Sequence, residues 1–266
     1  MKKTWIISCL TTATLMTTAM LTGCGGDGSK TKDGFRHVTV ERSVGIDNGK
    51  DSPQCQVQLD ILAANDTASE AGRRMNEQIV KKIFDMELLS VEAAADSFAN
   101  VYTRDYRKNM APLYHEDRAD AAKRPWYEYR YTVTTETRGE RKGVTSYLIT
   151  LDYYEGGAHG IYQMLPFNFD VHTGSQLHLS DVFVPGYESR LTDILLNALQ
   201  ELTSTKSLEE LHDQGYLYSM DMFPSENFTL DKDHITFIYN PYEIAPYAAG
   251  IIELEVDYDD LKDILK

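Results

Sequence analysis

Cysteine is scarce in this sequence. Three occur in 266 residues, Cys9, Cys24 and Cys55, too few for a disulfide framework. Basic side chains are also in deficit: 26 Lys and Arg stand against 41 Asp and Glu, for a formal net charge of −15. A chain of that sign repels a phosphate backbone, which excludes nucleic-acid binding. After residue 34 there is no internal repeat, low-complexity tract or long linker. The signatures of catalysis are missing as well. There is no G-x-S-x-G elbow, P-loop or dinucleotide glycine pattern. The seven histidines (37, 115, 159, 172, 178, 212 and 234) are scattered, with no His-x-His or H-E-x-x-H spacing. A zinc site needs three or four converging ligands, and none is marked. No metal, cofactor or catalytic residue is therefore implied.

What is present begins with the N-terminus, "MKKTWIISCLTTATLMTTAMLTGCGG". Lys2 and Lys3 precede an uncharged run from Thr4 to Thr22. Its length would suit a transmembrane anchor, but it holds seven threonines and a serine and ends in Leu-Thr-Gly-Cys. That ending resembles the lipoprotein box of bacterial envelope proteins, in which the leader is cut before an acylated cysteine. The expectation is a signal peptide at 1–23, lipidation (palmitate among the acyl chains) at Cys24, and a Gly-rich tether at 24–34. Several acyl chains on one residue give stable membrane anchoring. Gly25 stands where an inner-membrane retention aspartate would be. The expected location is thus extracytoplasmic, on the periplasmic face of an outer membrane where the cell has one, with display at the cell surface as the alternative. Removal of Lys2 and Lys3 makes the net charge of −15 more negative by two, −17. Cys55 is then alone, without an intrachain partner, and reads as a half-buried strand residue.

Roughly 240 mature residues suffice for one large or two small packed domains. Strands are expected at 35–44 and 54–62, where Cys55, Val57, Leu59 and Ile61 share a face by alternation. Two amphipathic helices follow, 68–88 and 90–110, the second capped by Ser90 with Phe98, Val101, Tyr102 and Tyr106 packing inward. A polar connection (111–124) leads to strands at 125–139, 144–157 and 160–171. Ser180 is a plausible cap for a short helix, and 187–203 is an amphipathic helix with Leu191, Ile194, Leu195 and Leu199 inward. Strands at 227–230, 234–240 and 251–258 and a short final helix close the chain. Helices set between runs of strands predict an α+β fold with antiparallel sheets and packed amphipathic helices.

Three stretches are specific: "YYEGGAHG", then "FNFDVHTGSQLHLSDVF", then "NFTLDKDHITFIYNPYEIAPYAAGIIELEVDYDDL". Together they resemble the extracytoplasmic domain of RsiV-type anti-sigma factors, which sense lysozyme, and the equivalent unit of PdaC-type peptidoglycan deacetylases and envelope lipoproteins. The resemblance is close over about 150–266, with 35–150 similar to the PdaC-type domain that precedes it. It divides the chain into a domain at 35–150 and one at 151–266. It implies a non-catalytic sensing or binding module that recognises lysozyme or peptidoglycan. Sigma-factor control and deacetylation are not implied, because neither a cytoplasmic segment nor the Asp-Asp and His-x-x-x-His metal motifs are matched.

Two surfaces qualify as candidate binding residues. Glu155 and His159 flank the glycines of "EGGAHG". Tyr242, Glu243 and Tyr247 sit on a proline-stiffened loop, where rigid aromatic area suits recognition of protein or glycan. An alternative is that Glu155 and His159 serve a cell-wall hydrolase or accessory enzyme as acid and base. A third reading makes the protein a structural envelope scaffold. The strand "IIELEVDY" places Glu253, Glu255 and Asp257 on one face, which a basic partner such as lysozyme would match.

Overall fold

The computed structural model describes residues 34–65, 67–139 and 141–266. The expected signal peptide at 1–23, the lipidation position Cys24 and the expected tether before Gly34 lie outside the described residues.

Strands β1 (Phe35–Gly45) and β2 (Gln54–Ala64) form an antiparallel hairpin in continuous register. Cys55, Val57, Leu59 and Ile61 are all buried on the face that alternation assigns them. Helix α1 (Glu70–Phe84) starts at Ser69, whose hydroxyl accepts from Gly72 N–H at 3.0 Å. It ends earlier than its pattern suggests because Asp85 turns into the left-handed region at φ 53°. Helix α2 (Val91–Asp117) is capped by Ser90 as expected. It runs through Pro112 to Asp117, where a polar connection was expected. The proline forfeits one hydrogen-bond donor, but Ala111 before it and Tyr114 beyond it both pack on the core, and Tyr114 meets Tyr127 edge-on at 5.3 Å. Packing outweighs the local penalty. A 3₁₀ stretch at Ala121–Tyr127 then delays the next strand.

Strands β3 (Tyr129–Arg138), β4 (Val144–Glu155), β5 (Ile161–Asp170) and the two-residue β6 (Gln176–Leu177) complete a sheet in the order β1-β2-β3-β4-β5-β6. All neighbours are antiparallel except β2 and β3, which are parallel because α1 and α2 carry the chain back across the sheet. Helices α3 (Leu179–Val182), α4 (Glu188–Thr203) and α5 (Leu208–Asp213) follow. The cap of α3 is His178, not Ser180: Asp181 reaches back to accept the His178 N–H at 2.9 Å. In α4, Leu191, Ile194, Leu195 and Leu199 are buried as their spacing requires. Strands β7 (Phe228–Leu230), β8 (His234–Tyr239) and β9 (Ile252–Asp257) make a second, antiparallel sheet, and α6 (Tyr258–Leu261) ends the fold. The class is α+β.

Two apolar cores result. One lies between the large sheet and helices α1 and α2 and takes in residues from Phe35 to Phe169. The other lies between the small sheet and α3–α5 and takes in residues from Leu179 to Ile264. The division at 150/151 falls inside β4, whose two faces serve different neighbours. Tyr147, Ile149 and Leu151 point to the helices, whereas Ser146 turns to the small sheet and accepts Leu230 N–H at 3.0 Å. A polar seam joins the sheets there. Asn168 donates to Phe228 O at 2.8 Å. Asn240 pairs with both backbone groups of Met164, accepting its N–H at 2.7 Å and donating to its carbonyl at 3.0 Å.

Candidate functional site

The β4–β5 connection is shaped by its glycines. Gly156 holds φ 81°, and a Cβ there would come within 2.6 Å of the Trp126 carbonyl oxygen. At Gly160 a Cβ would come within 2.7 Å of Tyr153 O. Only glycine fits either approach. The turn throws His159 outward, against the β8–β9 loop. Its ring stacks on Tyr247 with centroids 4.1 Å apart and planes 24° apart. Its Nδ1–H donates to Gly160 O at 2.9 Å, and the Tyr247 hydroxyl donates to the same carbonyl at 2.9 Å. A carbonyl can only accept, so Nδ1 carries a proton, and Nε2 faces outward. The Tyr242 hydroxyl lies 3.4 Å from it.

Tyr242 is the exposed tyrosine of this cluster, at 64%. It occupies a turn closed by Glu243 N–H donating to Asn240 O at 3.0 Å. Within that turn its φ is +72°, in the left-handed region that favours glycine. Glu243 does not reach the aromatic cluster. Its carboxylate folds back to accept Asn240 N–H at 2.8 Å and so fixes the turn that presents Tyr242.

Glu155 is parted from His159, although only four residues separate them. As an odd-numbered residue of β4 it faces the helices, and its Oε1 accepts the Tyr102 hydroxyl of α2 at 2.6 Å. It borders a cavity of about 350 Å³ between α2 and the open end of β3 and β4. An acid–base pair of Glu155 and His159 is thus not assembled by this fold. Phe98, Tyr102, Tyr106 and Tyr129 line that cavity. Phe98, Tyr102 and Tyr106 pack on the first core as expected while also bordering this cavity, whereas Val101 is 40% exposed at its mouth. The interleaving of Asp105 and Asn109 with these aromatics was the available signal.

Cys55 lies fully buried beneath this region, not half-buried. Burial, with the nearby Glu155 charge adding to it, pushes its thiol up to about 12, which leaves it inert as a nucleophile at neutral pH. Glu253, Glu255 and Asp257 share the outer face of β9, and Glu253 meets Arg138 at 3.1 Å. Among the described residues no group of three His, Cys, Asp or Glu side chains could hold a metal ion.

The fold and these loops define a mixed α+β protein whose small-sheet half belongs to a recognised domain type. Residues 180–259 match the family described as "Protein of unknown function (DUF3298)", so the chain carries a DUF3298 domain. The matched segment spans α3 to α6 and encloses nearly all of the second core. A DUF3298 family member from Bacteroides fragilis NCTC 9343 has a crystal structure with 29% sequence identity and a TM-score of 0.80, covering 90% of this chain and 94% of that one. A DUF3298 family protein from Pseudomonas aeruginosa PAO1, 18% identical, superposes with a TM-score of 0.62 over 88% of this chain and 95% of that one. At that identity the likeness is one of fold. No curated protein is significantly similar to the chain.

Proposed function

We propose that this protein is a lipid-anchored, extracytoplasmic, non-catalytic binding module whose recognition face is the His159–Tyr242–Tyr247 cluster. Its partner is a basic protein of lysozyme type. The observation that carries the reading is Tyr242: a large aromatic ring, mostly exposed, held in a backbone conformation that costs on the order of 1–3 kcal/mol. Strain of this kind persists where it positions a contact. Tyr247, His159 and Glu243 hold the ring in place, which lowers the entropy lost on binding. The excess of acidic residues favours a basic partner. The resemblance to RsiV-type domains and the anchoring signal ending at Cys24 point the same way.

The test is retention of purified lysozyme by immobilised residues 25–266 at low and high salt, beside isolated peptidoglycan. Salt-sensitive retention that Tyr242→Gly abolishes supports the proposal. Retention by peptidoglycan alone would transfer the face to a glycan ligand. Retention of neither, or peptidoglycan turnover lost in His159→Ala, would overturn it. Labelling with a palmitate analogue in cells, lost in Cys24→Ala, tests the anchor.

A further inference from the structure

The cavity beside Glu155 lies on the opposite face of the large sheet from the small sheet, and its chemistry differs from that of the Tyr242 cluster. Its volume of about 350 Å³ suits a compact small molecule. Four aromatic rings form its wall. They are held by one another, with Tyr106 and Tyr129 centroids 5.0 Å apart and Phe98 and Tyr102 5.6 Å apart. Their hydroxyls are already committed: Tyr102 donates to Glu155, Tyr106 to Tyr127 O at 2.8 Å, and Tyr129 to the Met110 sulfur at 3.4 Å. What remains for an occupant is aromatic surface, methionine sulfur, the Asn109 amide and carboxylate.

The carboxylate decides the sign. Glu155 takes one hydrogen bond, from Tyr102, and among the described residues it forms no ion pair. No Lys, Arg or His lines the cavity. Asp105, at the rim, is already engaged by Arg104 at 2.9 Å, so Glu155 is the unneutralised charge. An anion would meet Glu155 and the π-electrons of the rings with only the Asn109 amide to offset them. An uncharged apolar molecule would leave the carboxylate unused. A cation gains from both, because ring quadrupoles and a carboxylate attract positive charge together. We propose that the groove between α2 and the β3–β4 end of the large sheet binds an organic ammonium ion with a compact apolar body. The site uses none of the residues of the Tyr242 cluster, so either assignment can fail without the other.

The experiment is a titration of residues 25–266 with benzyltrimethylammonium, followed by backbone amide NMR shifts. Benzyl alcohol and benzenesulfonate serve as uncharged and anionic controls. Saturable shifts confined to α2 between Phe98 and Met110 and to the ends of β3 and β4 are expected, with the ammonium binding about tenfold more tightly than benzyl alcohol. Glu155→Gln, which retains an acceptor for Tyr102, should erase that preference. Val101→Trp, at an exposed position on the mouth, should block entry while leaving the fold intact, and it keeps the test decisive should Glu155→Gln be unstable. Equal binding of all three probes, unaltered preference in Glu155→Gln, or no shifts up to about 10 mM would overturn the assignment.

Discussion

The imidazole of His159 lies flat against the phenol ring of Tyr247, 4.1 Å between centroids, and both side chains donate to the single carbonyl of Gly160. Two loops far apart in sequence are thereby clasped at one point. Tyr247→Phe keeps the stacked ring and removes one donor, and should cost about 1 kcal/mol in denaturant unfolding. His159→Ala removes the stack as well. It should cost a further 0.5–1.5 kcal/mol, approximately the worth of an aromatic pair. A cost below a few tenths of a kcal/mol for both would show that the clasp is not formed in solution.

Tyr242 offers a test in which stability and binding move in opposite directions. Glycine accepts φ near +72° without strain, so Tyr242→Gly should raise stability by up to about 1 kcal/mol, read as a higher urea midpoint. The same change removes the exposed ring and should abolish partner retention. A stability loss would mean that the ring packs more than it presents.

The polar seam between the sheets should be costly to break. Asn240→Ala leaves the Met164 N–H and carbonyl without their partner. A loss of about 2–4 kcal/mol is expected from the two stranded groups. Calorimetry should then show one broadened or split transition in place of a single cooperative one, since the seam couples the two cores.

His234 supplies a pH dependence. Burial alone would push its imidazole down, but the Asp233 hydrogen bond and the charges of Asp231 and Glu255 outweigh it and raise it above its ordinary value of 6.5. The folded state therefore holds the proton more tightly than the unfolded chain. Its stabilising contribution is complete below pH 6.5 and is lost as pH rises through the elevated folded value. Melting temperatures of wild type and His234→Gln should converge as pH is raised from 6 to 8.5. A constant difference across that range would contradict the linkage.

Cys55 should behave as a hydrocarbon. With its thiol pushed up to about 12 and no exposed surface, it should resist a thiol reagent at pH 8 in native protein and react at once in denaturant. Prompt native reaction would reveal opening of the β1–β2 hairpin.

Much of this architecture could be read from alternation. The inward faces of the first half of β2 and of β9 and the leucine stripe of α4 follow from period two and period 3.6 alone, because each is buried on one side only. Both "GGAHG" and the tyrosine loop were marked in sequence by their rigid residues, and the structure brings them together. Other features depend on partners that no local pattern records. α2 passes Pro112 because Tyr114 finds Tyr127, ten residues beyond its end. Glu155 and His159 look like neighbours in sequence, yet strand alternation aims the first at α2 while the glycine turn carries the second to the opposite side. The aromatic groove escaped notice for the same reason: whether Tyr102 and Tyr106 fill a core or line an opening depends on where β3 and β4 stop.

Strand β4 has a consequence for where such a chain can change length. One face contributes Tyr147, Ile149 and Leu151 to the helical core, and the other sends Ser146 into the seam. Inserting or deleting one residue within Val144–Glu155 would exchange the faces of every residue beyond it, driving a hydroxyl into one apolar core and a phenol into the other sheet's backbone. The tip of the β1–β2 hairpin at Asn48–Lys50 is exposed and should absorb extra residues with little penalty, whereas Asp51 beside it accepts from Arg124 and Ser52 is buried. Homologous chains should therefore differ in length at that turn and be gap-free across β4.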